Sequence, residues 1–164
     1  MAVLFGGQGY GQIEPNRCSF LHDGNIESQC KAGVDLENGW IVAVDKAAGT
    51  VTTTTELKGL IGICYTAERI YDRATGLKNF YTKKDEYPRV GYLKRGDVYT
   101  TNAVTSTTYT EAGSVATALT NSKLYVGADN VITATAATDG IFVLQIVEET
   151  TMPDGQPAVK IQVI

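Results

Sequence analysis

One histidine, one tryptophan, two methionines, four phenylalanines and four prolines are all that this chain of 164 residues contains of those types. The scarcity excludes a good deal. With His22 as the sole imidazole, any His-dependent triad or metal cluster has to be built around that one ring. The three cysteines (Cys18, Cys30, Cys64) are odd in number and irregularly spaced, which suits a reducing compartment better than a disulfide framework. No window approaches 18 uninterrupted apolar residues, so no transmembrane helix is expected. The opening Met1–Gly7 has no basic region and too short an apolar stretch for a secretory signal. At 43% hydrophobic and 20% charged residues, the composition is that of a soluble globular chain rather than a disordered one.

Threonine, glycine and tyrosine stand in excess, at 21, 17 and nine residues. Threonine and tyrosine favour half-buried pleated surfaces, and glycine supplies turns, so the expectation is an all-β fold and not a helical bundle. At this length roughly 70% of the surface can be buried, enough for a core without metals or disulfides. Two regions are expected. Residues 1–33, which include the stretch FGGQGYGQIEPNR, show no clear period and read as an extended Gly-rich arm. Residues 34–164 read as a single β-domain, a small barrel or a sandwich. Apolar side chains on a flexible arm are unfavourable in water, so Val3, Leu4, Phe5, Tyr10 and Ile13 are the candidate contacts to another surface, of the same domain or of a neighbouring subunit.

From residue 34 onward, short strand-like runs alternate with turn signals. Trp40–Asp45 follows Asn38-Gly39. Thr50–Leu57 is a β-branched run unsuited to a helix. Leu60–Thr66 is apolar on both faces, as a central strand would be. Glu68–Ala74 has the pattern of one or two helical turns ended by Gly76. Asn79–Thr82, Val90–Leu93 and Asp97–Asn102 follow as strands. A hairpin is expected from Lys123–Val126 and Val131–Ala134, then a long strand at Ile141–Glu148, then a turn at Pro153-Asp154-Gly155. In the last run, Ala158–Ile164, alternation points Val159, Ile161 and Val163 inward and Lys160 and Gln162 outward. A chain ending on such a strand is expected to close the sheet with it.

The motifs that suggest chemistry are each outweighed by a plainer reading. Gly6-Gly7-Gln8-Gly9-Tyr10-Gly11 superficially matches a phosphate loop but lacks the flanking strand, helix and distal acid that a dinucleotide site needs. Cys18, His22 and Cys30 lie near one another without the paired spacing of a zinc site. Cys64 falls in an apolar strand, where a thiolate is disfavoured. Asp45, Asp129, Asp139 and Asp154 sit where turns want aspartate. Arg95-Gly96-Asp97 spells a receptor-read tripeptide, but a Gly turn and a strand entry already account for it. Neither an enzyme, a metal centre nor a cofactor is expected. The net charge of −4 is uneven: Arg69–Arg95 carries +5 and the remainder −9. Tyr71, Phe80, Tyr81, Tyr87 and Tyr92 lie in or beside that basic stretch as they would in a single-strand nucleic-acid site. The acidic remainder would repel phosphate, so nucleic acid is a disfavoured partner and dispersed surface charge the plainer account.

The C-terminal half carries a resemblance. Gly91–Asn102, with Arg95-Gly96-Asp97 at its strand entry, leads to Lys123–Val126 and Asn130–Ala134. The chain then continues through Asp139–Val143 to Ala158–Ile161. In this order of elements it resembles the capsid-decoration proteins of tailed bacteriophages. Leu36–Asp45 is similar to the opening strand of such domains, and the likeness spans residues 26–164 while leaving out the first 16. The resemblance implies a non-enzymatic cement protein of the virion, assembled in the bacterial cytoplasm. Such a protein binds the major capsid protein and neighbouring copies of itself, as a homo-oligomer such as a trimer, with no membrane partner. Many weak identical contacts on a lattice would then act with high avidity. A head-fibre or receptor-binding module, or a tail-tube or neck component, is the alternative.

Removing Ala158–Ile164 is expected to destabilise the fold markedly, because three inward side chains worth about 1.5–3 kcal/mol each are lost. A thermal melt of a chain ending at Pro157 checks this, and an unchanged melting temperature would reject the strand assignment.

Overall fold

The computed structural model describes residues 11–53, 59–69, 79–104, 123–126, 132–133 and 144–164. Strands dominate it, and the all-β expectation holds. The chain lays down one strand, β1 (Ile13–Arg17), passes through a single helical turn, α1 (Phe20–Asp23), and then builds a whole second sheet before returning. That second sheet consists of β2 (Ile26–Glu27), β3 (Lys31–Ala32), β4 (Ile41–Asp45), β5 (Thr50–Thr53), β6 (Ile61–Cys64) and β7 (Val90–Tyr92). Its order is β2-β7-β6-β4-β5-β3, antiparallel except for the parallel β3–β5 pair.

The chain returns to the first sheet with β8 (Val98–Thr101), which pairs with β1. Then follow β9 (Lys123–Val126), β10 (Ile132–Thr133), β11 (Leu144–Thr151) and β12 (Pro157–Val163), giving the order β1-β8-β12-β11-β9-β10. Both sheets are open among the described strands, so no closed barrel forms.

Two apolar clusters hold the layers. The first joins the sheets: Ile41, Ile61 and Ile63 of β4 and β6 share it with Tyr99, Leu144, Ile146, Val159, Ile161 and Val163 from the other sheet. The second lies on the opposite face of β4–β6, where Val42, Val44, Val51 and Cys64 meet Leu36, Trp40, Val90 and Ala103. The second sheet is therefore covered on both faces. This explains why β6 is buried at all four positions and why its sequence shows no polar alternation. Central placement of β6 was legible from that pattern.

Turn chemistry fixes the hairpins. Asp45 Oδ1 accepts from the amides of Ala47 and Ala48, at 2.9 and 3.0 Å, so its side chain organises the β4–β5 turn. Between β11 and β12, the Gly155 amide donates to the Met152 carbonyl at 2.8 Å, and Gln156 N donates to Asp154 Oδ1 at 3.1 Å. The expected hairpin of β9 with β10 is present, pairing Val126 with Ile132. In β12 the expected alternation holds, with Val159, Ile161 and Val163 buried.

Several expectations are corrected. The region taken as an arm as far as residue 33 belongs to the body from residue 11 onward: Cys18 and Phe20 are fully buried, and β1, β2 and β3 all pair with the rest of the fold. Ile13, one of the candidate contacts, is half-buried and packs against the first cluster of its own chain. Strand β12 does not close the sheet; it lies in its interior, between β8 and β11. Residues 79–82 contribute a single bridge, Leu36 to Thr82, in place of a strand. Val3, Leu4, Phe5 and Tyr10 lie outside the described residues, as does most of the expected helical segment 68–74.

Where α1 meets the second sheet, the approach is close. A Cβ built on Gly91 would lie 2.5 Å from Cδ1 and Cε1 of the Phe20 ring, and that ring is fully buried with nowhere to retreat. Gly91→Ala is expected to cost about 1–3 kcal/mol through overpacking, read as a lower denaturation midpoint with an unchanged slope. An unaltered midpoint would show that the Phe20 packing gives way freely.

Candidate functional site

The side chains that read as chemistry in the sequence are scattered, and most are engaged in holding the backbone. Cys18 belongs to the cluster between the sheets and Cys30 to the cluster on the far side, while His22 is exposed on α1. The three do not converge on a common site. Burial pushes the Cys18 thiol up to about 12, with the Asp97 charge adding to the effect. Burial likewise pushes Cys64 up to about 11 and raises Cys30, which Glu27 raises further. None of the three thiols has the lowered pKa of a nucleophilic cysteine.

Asp97 has a defined structural task. It is 3% exposed. One carboxylate oxygen accepts from Ser19 N at 2.9 Å, and the other from Ser19 Oγ at 3.3 Å and Lys94 N at 2.8 Å. The Arg95-Gly96-Asp97 tripeptide is thus a turn, with Gly96 at φ 97°, whose acid is turned inward to tie α1 to β8. That agrees with the turn reading of the sequence.

Glu27 plays the same part at the second sheet. Its Oε1 accepts from Gln29 N at 2.7 Å and Cys30 N at 3.2 Å, and its Oε2 accepts from the Tyr92 hydroxyl at 3.4 Å. Lys46 stands 3.6 Å away and lies over the Tyr92 ring. The Gln29 amide bond, helped by Lys46 and Cys30, holds the Glu27 carboxyl below its usual value against the opposing effect of burial.

The basic stretch is dispersed. Lys83, Lys84, Arg89, Lys94 and Arg95 are all exposed, but Lys94 is paired with Asp23 at 2.7 Å and Arg89 stacks over Tyr65. Of the aromatics, Tyr81 and Tyr87 are exposed, whereas Phe80 and Tyr92 pack on the second cluster. Arg73, Lys78 and Tyr71 lie outside the described residues.

A cleft of about 610 Å3 lies between β1, the segment after β6, and the β11–β12 turn. Its start is anchored tightly. Gly11 N donates to Glu37 Oε2 at 3.1 Å, Gln12 N donates to Asn102 Oδ1 at 2.7 Å, and Gln12 O accepts from Thr101 Oγ1 at 2.7 Å. Only glycine fits at residue 11, because a Cβ there would lie 2.2 Å from the Asn38 carbonyl oxygen. Gln12 Nε2 donates across the cleft to Asp154 Oδ2 at 3.1 Å. Asp154 is held below the usual carboxylate value: desolvation pushes it up, and hydrogen bonds from Gln156 and Gln12 outweigh that. Sequence reading missed this cleft because Gln12 and Asp154 are 142 positions apart and Asp154 already had a turn role.

The fold and its cleft define an all-β, two-sheet protein. Comparison of the chain with protein-family models, with curated proteins and with solved structures finds no match.

A depressed carboxyl contributes stability that is complete above its unfolded value and is lost as pH falls through its folded value. Glu27 therefore contributes to an acid limb of stability that begins below about pH 4.5, the ordinary glutamate value. Glu27→Gln is expected to lower stability at pH 7 and to flatten that limb. Denaturation midpoints at pH 7 and pH 3 check this, and equal losses at both pH values would remove the role of the charge.

Proposed function

We propose that this chain is a structural protein of a tailed-bacteriophage virion. It decorates the capsid, binds the major capsid protein and neighbouring copies of itself, and stabilises the head without catalysing a reaction. The observation that carries this reading is the anchor at Gly11 and Gln12. Residues 1–10 hold Val3, Leu4, Phe5 and Tyr10 and no charged side chain, and they join the body at a point fixed by three hydrogen bonds and a glycine packed against the Asn38 carbonyl. An apolar segment whose point of attachment is fixed in this way is suited to adhesion, since the attachment itself loses little freedom on contact.

The use made of the reactive residues supports the same reading. Buried thiols with raised pKa values and carboxylates occupied by backbone amides build a stable body and leave its surface to make contacts. Repetition on a lattice would multiply modest contacts into strong occupancy.

Because Gly11 and Gln12 belong to the body, the informative deletion removes residues 2–9 and stops short of them. With undecorated heads from the phage encoding the chain, the full protein is expected to cosediment. The deletion variant is expected to keep its melting temperature while occupancy falls about tenfold, the equivalent of 1.4 kcal/mol per copy. Unchanged occupancy would reject the segment's role, and a full-length protein that stays in the supernatant would reject the capsid reading.

A further inference from the structure

We draw no further inference here: the strongest candidate, the pocket of about 260 Å3 where Trp40 and Tyr81 meet Asp35 and Glu37, carries nothing, because the two carboxylates already accept from the amides of Lys84 and Gly11 and nothing in the structure shows what covers the aromatic wall.

Discussion

The layer of isoleucine, valine, leucine and tyrosine between the two sheets is the constraint on which everything else depends. Ile41, Ile61 and Ile63 meet Tyr99, Ile146, Val159 and Ile161 there, all almost wholly removed from water. Each such side chain contributes about 1.5–3 kcal/mol on burial, so the layer outweighs any single polar contact in the molecule. It also sets the topology. The chain enters the first sheet once at β1, must complete the second sheet, and comes back at β8 to pair beside its own beginning. Neither sheet has a dry inner face without the other.

Closing that layer creates a second requirement, and the carboxylates meet it. Wherever the chain turns between the layers, backbone amides are left without a ladder partner in partly dry surroundings, where an unpaired donor costs about 1–3 kcal/mol. Asp97 takes the amides of Ser19 and Lys94, Glu27 those of Gln29 and Cys30, and Glu37 that of Gly11. These acids are the fastenings of the connections around β2, β8 and the start of β1. The acidic balance of the chain is in part a record of this work, and it explains why several of its carboxylates are unavailable for acid–base roles.

How much of this was legible follows from how each signal arises. Strands with many ladder partners showed themselves. β6 is covered on both faces and reads as unbroken apolar sequence, and β12 alternates because Lys160 and Gln162 leave the core while Val159, Ile161 and Val163 enter it. Turns with a side-chain mechanism, Asp45 to Gly49 and Pro153 to Gly155, also showed themselves. Residues 11–33 did not. Their strands are two to five residues long, and Cys18 and Phe20 sit in the connection from one sheet to the other, so no period can develop. The parallel β3–β5 pairing leaves no trace in either segment, since register between distant strands is settled by the shared core. The cleft was illegible for the same reason: Gln12, Tyr65 and Asp154 are ordinary residues until the two sheets bring their segments to one place.

That origin has a consequence for recognition. A site assembled by the core inherits the core's rigidity. Gln12 is held by bonds from its amide, carbonyl and side chain to Asn102, Thr101 and Asp154, and Tyr65 is fixed by Phe20 behind it at 5.0 Å and Arg89 over its ring. Side chains so restrained have little conformational freedom left to lose, which is the condition under which a modest contact would convert most fully into affinity. Gly11 is restrained in the same way, by its bond to Glu37 and its packing against the Asn38 carbonyl. The same core that buries Cys18 and Cys64 and turns Asp97 inward therefore also sets the positions of Gln12 and Tyr65 at its edge.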